Sequence, residues 1–233
     1  MFDLSFARQA LPQIIAATPM ALLIAAVATL AGLLLAILVV IVRERPLPLV
    51  TPLVATLVSF IRGTPILVQL YLVYYGLPQL LVVLKGWGWP VDPDGLSALL
   101  IAFVAYALNA AANLSESIRA ALHAVDRGQY EAAVTVGMPP ARAIRRIVVP
   151  QLIANLLPNL TNIVLDLVKD TALVYNIGIV EVMGEANIIS ALGFKYLETY
   201  LDALLVYIVT CWLIARLFQL SEFIVRRRRP TNA

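Results

Sequence analysis

The side chains in this sequence that could do chemistry are few, and most of them lie within runs of hydrocarbon. Asp166 and Asp170 are four residues apart and would share one face of a helix. Asn155, Asn159 and Asn162 fall roughly along the same stripe. Ionisable groups at membrane depth are costly, so they face a cavity or a partner. Two plainer readings stay open beside that one. Asp170 and Lys169 could end a span at the outer interface, and the asparagines could bond between helices. Glu116 and Arg119, three apart, read as a structural or gating pair. No Cys/His cluster has metal-ligand spacing, no nucleophile has a base near it in sequence, and no phosphate-cradling Gly-x-x-x-x-Gly-Lys-Ser/Thr loop occurs. The expectation is a chain with no catalytic residues, no metal, no cofactor and no enzyme activity of its own.

The elements that position these groups are set by composition. Of 233 residues, 61% are hydrophobic and 13% charged, about half the charged share of an average soluble domain. The apolar runs are long enough to cross a bilayer, which predicts an all-α polytopic membrane protein built as a single domain over 1–233. Met1–Gln13 reads as an interfacial amphipathic helix and not as a cleaved leader, because no basic segment precedes the first apolar run. Five spans follow: Met20–Val42, Ile66–Leu84, Leu96–Ala121, Leu152–Val168 and Tyr200–Ile224. Arg62-Gly63-Thr64-Pro65 splits the long second run, leaving the part before it interfacial or partly inserted, and Gly76 with Pro78 predicts a kink farther along. Ala172–Leu192 is too broken for a clean span and reads as a helical cap or gate.

Lys and Arg placement orients the bundle. Arg43, Arg45, Arg62, Arg127, Arg142, Arg145, Arg146 and the Arg226–Arg229 cluster share one side, whereas the other side holds Lys85 and Lys195. This puts the N-terminus outside and the C-terminus in the cytoplasm. Basic clusters beside spans point to headgroups and cytoplasmic loops, not to nucleic acid. The one cysteine, Cys211, excludes an internal disulfide.

Between the third and fourth spans lies a polar interruption, about 123–150. Asp126 suits a helix N-cap, Gly137 a helix end, Pro140 the first turn of a next helix, and Pro150 its end at the membrane. Ala132 and Ala133 keep one face small. The pattern predicts a helix-turn-helix lying on the cytoplasmic surface.

Glu131-Ala132-Ala133, Gly137, Ile147, Val149 and Pro150 resemble the signature loop of ABC-importer permeases, with Val149 where Leu is usual. Arg62-Gly63-Thr64-Pro65-Ile66-Leu67-Val68-Gln69, Tyr74-Tyr75-Gly76-Leu77-Pro78, Leu160-Thr161-Asn162 and Lys169-Asp170-Thr171 are similar to the polar-amino-acid uptake branch. Asn113 stands where that branch usually has Tyr. The resemblance implies an ATP-driven importer subunit of a bacterial inner membrane that pairs with itself or a related permease. It also implies two ATPase subunits and a periplasmic or lipid-anchored solute-binding protein as partners. Glu131, Ala132, Ala133, Gly137, Ile147 and Pro150 would then couple to the ATPase. Gln69, Asn113, Asp166 and Asp170 would line the amino-acid path, and two carboxylates there lean toward a cationic substrate. The competing readings are a gradient-driven carrier, which would show inverted repeats and matched helix breaks, and a non-transporting membrane subunit.

Overall fold

A computed structural model describes residues 2–45, 47–93 and 95–227. Arg228 and Arg229 of the basic cluster lie outside the described residues. Every regular element among the described residues is helical, and five helices are long and apolar enough to cross a membrane.

The first crossing is longer than its apolar core suggested. Helix α1 (Leu4–Ala16) passes almost directly into α2 (Thr18–Arg43), giving an apolar stretch of 40 residues. Asp3 starts it by accepting hydrogen bonds from the Ser5 and Phe6 amides, both at 3.1 Å. The segment before Met20 is therefore part of the bundle and not a helix lying on the surface. Ala7, Ala10 and Ile14, spaced to share one face, are buried, and Ala10 and Ile14 pack in the cluster that joins α1 to the last two helices.

Helix α5 (Ala98–His123) forms the centre of the bundle and runs parallel to α2. A Cβ on Gly32 would lie 2.5 Å from the Ala110 Cβ, so only glycine lets the two backbones approach this closely. Ala28, Ala36, Ala102, Ala105 and Ala110 extend the same small-residue seam. Lipid tails give helices no hydrophobic reason to associate, so this close packing supplies the adhesion.

Two crossings are broken. The second is made of α3 (Val50–Arg62) and α4 (Ile66–Gly86), interrupted at Gly63–Pro65 where the sequence predicted, and α4 continues through Pro78. The Thr51 hydroxyl donates to the Arg45 carbonyl at 2.9 Å, so α3 starts beside the end of α2, and it packs against both α2 and α5. The fourth consists of α8 (Val149–Asp170), a 3-10 segment (Thr171–Ile177) and α9 (Val182–Gly193). The Tyr106 hydroxyl donates to the Asp170 carbonyl at 2.5 Å. Tyr106 lies well inside α5, so α8 stops within the bundle and not at the outer interface. Gly193, at the far end of α9, lies against Phe6 near the start of α1. Helix α10 (Tyr196–Arg227) returns as the last crossing.

Between α5 and α8 stand α6 (Arg127–Thr135), α7 (Pro140–Ala143) and a π-helical turn (Ile144–Val148). Pro150 was expected to end a helix at the membrane. It instead lies in the first turn of α8, in a helical path unbroken from Pro140. The path takes a π-helical turn immediately before it, with the Val149 amide donating to the Ile144 carbonyl, and such local adjustment re-satisfies backbone groups that a proline leaves without a donor.

Candidate functional site

A cavity of about 480 Å³ opens between the two helix breaks. Ile66, the first residue after one break, and Asp170, the last residue before the other, both line it, with Asn109, Asn113, Ile163, Asp166, Leu167 and Lys169. Irregular backbone at membrane depth needs such a setting, because hydrocarbon cannot satisfy its free polar groups.

The cavity wall contributed by α8 carries charge. Lys169 Nζ lies 2.7 Å from Asp166 Oδ1, an exposed pair one turn apart. The Asp170 carboxylate makes no hydrogen bond or ion pair with any described residue. Two carboxylates and one ammonium leave a net charge of −1 facing the space. The wall from α5 carries amides. Asn113 donates to the Asn109 carbonyl and side-chain oxygen, both at 3.1 Å, and Asn109 donates to Gln69 Oε1 at 3.0 Å.

Gln69 ends that relay and is not among the cavity's described lining residues. Its amide donates to the Ile61 carbonyl at 2.7 Å, the Thr64 carbonyl at 2.9 Å and the Thr64 hydroxyl at 3.0 Å. These are carbonyls that the end of α3 leaves without helical partners, so Gln69 closes the break and holds the α5 amides in place. Of the four predicted path residues, Asn113, Asp166 and Asp170 meet in the cavity and Gln69 stands behind it. Asn109 lines the cavity without having been singled out, Lys169, read as a possible span end, lines it too, and Tyr106 holds the Asp170 carbonyl from outside its lining. The Asn109–Asn113 spacing of four was the available signal for the first.

The far side of the second break is also sealed. Glu181 is fully buried. It caps α9 by accepting from the Met183 and Gly184 amides, both at 2.9 Å, and accepts from the Tyr207 hydroxyl at 2.6 Å.

At the other end of the bundle, α6 and α7 form a compact platform. Asp126 accepts from the Gly128 amide at 2.9 Å, as the sequence predicted for an N-cap. Gly137 has φ +89°. Its amide donates to the Val134 carbonyl at 2.9 Å, and the Met138 amide donates to the Ala133 carbonyl at 3.0 Å. This double bond pattern ends a helix through a left-handed residue, a conformation that costs other L-residues roughly 1–2 kcal/mol. Ala133 is buried on the inner face of α6, while Ala132 and Glu131 are exposed. The Glu131 carboxylate makes no hydrogen bond or ion pair with any described residue. Val136, beside the turn, is 82% exposed. Ile147 lies half-buried in the π-helical turn, and Gln151 at the start of α8 bonds Gln129 of α6 at 2.5 Å.

Five side chains tie the platform's root to the end of α2. Arg43 pairs with Glu116, Arg119 bonds Glu44 at 2.9 Å and approaches Glu116 at 3.7 Å, and His123 lies 3.2 Å from Glu44. Burial pushes the Glu44 carboxyl up, but hydrogen bonds from Arg119 and His123 outweigh it and hold the group below its usual range.

Three comparisons set this architecture among known proteins. The family described as binding-protein-dependent transport system inner membrane component matches residues 28–229. The probable amino-acid permease protein YxeN of Bacillus subtilis (strain 168) is 34% identical over 225 residues, 97% of this chain and 95% of the relative. The arginine transport system permease protein ArtQ of the same organism is 40% identical over 151 residues, 65% of this chain and 64% of that protein. Among solved structures, an amino acid ABC transporter crystallised with histidines superposes with a TM-score of 0.80 at 31% identity, covering 95% of this chain and 98% of that one. The two broken crossings, the cavity between them and the platform are thus features of a chain that belongs to the binding-protein-dependent transport system inner-membrane components, the permease subunits of ABC importers.

Proposed function

We propose that the whole chain, 1–233, is one permease domain forming half of an amino-acid translocation pathway, with cationic amino acids as the favoured substrates. The observation that carries this is the cavity between the helix breaks, which Asp170 lines without a hydrogen bond or close ion pair to a described residue and which Asn109 and Asn113 line from α5. Asp170 is positioned to take an ammonium or guanidinium, with Asp166 released to join it when Lys169 moves. Asn113 keeps a side-chain oxygen for a substrate ammonium. The relatives named for arginine transport and crystallised with histidines support that substrate class.

The chain carries no ATP site of its own in this reading. Two ATPase subunits receive the platform through Glu131, Ala132, Ala133, Gly137, Ile147 and Pro150, and their rigid-body motion tilts the spans. A second permease, identical or related, completes the path. A periplasmic or lipid-anchored solute-binding protein delivers the amino acid. The subunit lies in a bacterial inner membrane, with its N-terminus outside and the platform in the cytoplasm.

Gly137→Asp tests the coupling. Aspartate at φ +89° distorts the turn and adds a charge to the docking face, so uptake by the reconstituted complex falls sharply relative to ATP hydrolysis. Uptake that stayed fully coupled to hydrolysis would refute the coupling role. Paired helix breaks also occur in gradient-driven carriers. Such a carrier would transport without an ATPase subunit and would not retain one on mild extraction.

A further inference from the structure

We infer that Arg142, Arg145 and Arg146 form a binding site for the phosphate of an anionic glycerophospholipid in the leaflet on the platform's side. The three arginines and Ala141 border a cavity of about 460 Å³. Arg142 stands on α7, and the other two stand in the π-helical turn that follows. The turn and the spacing of three and four residues bring all three guanidinium groups around one space. All three are exposed, and none makes a hydrogen bond or ion pair with any described residue. Arg43 and Arg119, at the same end of the bundle, are both paired with carboxylates. The cluster therefore holds three uncompensated positive charges.

Its position indicates a lipid and not an acidic protein surface. These residues lie in the helical path that runs from Pro140 into the membrane as far as Ile177. Arg146 is seven residues from Ile153, a rise of about 10 Å along a helix. Ile144, Val149 and Ile153 are 47%, 38% and 42% exposed, which places apolar surface for acyl chains next to the charges. Guanidinium groups present paired N–H donors that match phosphate oxygens. Basic pockets at the membrane boundary hold anionic headgroups, at about 1 kcal/mol for each charge near the surface. That figure corresponds to about a fivefold change in retention per arginine.

The test is native mass spectrometry of the full chain in its membrane complex, exchanged into detergent carrying phosphatidylglycerol or phosphatidylcholine in equal amounts. Wild-type protein should retain phosphatidylglycerol preferentially. R142Q, R145Q and R146Q should each weaken that preference about fivefold, and the triple variant should abolish it. Arg127→Gln, on the same platform but outside the cluster, should leave it unchanged. If the triple variant does not fold, the single variants carry the measurement. Equal retention of both lipids, or a preference that survives in the triple variant, would overturn the site. So would displacement of the lipid by inorganic phosphate alone, which would indicate a soluble anion. Loss of a companion ATPase subunit from the triple variant in phosphatidylcholine, with lipid retention unaltered, would assign the arginines to a protein interface.

Discussion

The two broken crossings solve one physical problem in different ways. Each exposes backbone polar groups inside the bundle, where no lipid can satisfy them. The break at Gly63–Pro65 is short and is closed by one neutral amide, with Gln69 bonding Ile61, Thr64 and Asn109 together. The break from Thr171 to Glu181 is longer and is closed from both ends. Tyr106 takes the last carbonyl of α8, and Glu181 with Tyr207 caps the start of α9. Charge is unevenly divided between them. Asp166, Lys169 and Asp170 all adjoin the second break, whereas the first contributes Ile66 to the cavity. The first break is thus an uncharged wall, and the second joins a 3-10 stretch of backbone to the charges that face the cavity.

That contrast can be attacked one residue at a time. The largest stability effect is expected from Glu181→Ala, which removes the α9 cap and the acceptor of the Tyr207 hydroxyl proton. A loss of about 2–4 kcal/mol should appear as a lower melting temperature in detergent. Gln69→Leu keeps the approximate size of the side chain and removes the partner of the Thr64 carbonyl and of the Asn109 amide, for about 1–3 kcal/mol. A null result there would remove that closure of the first break from the account. Tyr106→Phe loses a single bond, to the Asp170 carbonyl, and should cost about 1 kcal/mol. The smallest stability change belongs to Lys169→Met. Its pair with Asp166 is exposed and screened, so melting should move by less than about 1 kcal/mol. Uptake should change nevertheless, because the substitution frees a carboxylate in the cavity. Melting and uptake that moved together would make Lys169 a structural residue.

These residues also mark what could be read from sequence. The five crossings and the break at Gly63–Pro65 follow from hydrophobic run length and from Gly and Pro placement, both of which are local. The end of α6 was legible in the same way, since Gly137 must take a left-handed conformation. The second break was legible only as a broken apolar stretch. Its depth depends on Tyr106 reaching Asp170, 64 residues away in the chain, and no local pattern reports that distance. Gln69 looked like a path residue because polar groups in spans face cavities or partners, and sequence does not say which. Its partners are Asn109 on another helix and the carbonyls of a helix end that exists only because the crossing is broken. The union of α1 with the bundle was hidden in a stripe of alanines, which composition does not separate from surface. The ion pairs from Arg43 and Glu44 to α5 join residues 73 to 79 apart in the chain, which no local pattern reports, whereas the Glu116–Arg119 approach is local and was predicted.

Asp170 joins the second break to the proposed substrate, and one property makes it separable. Tyr106 bonds its main-chain carbonyl, so Asp170→Asn removes the charge without touching the seal. The decisive measurement is uptake by the reconstituted complex in competition with each of the twenty amino acids, for the wild type and for Asp170→Asn. The wild type should prefer cationic amino acids, and the variant should lose that preference by about tenfold or more, the scale of one hydrogen bond to a charged group. An unchanged ranking of competitors in the variant would contradict the assignment of this cavity to the substrate.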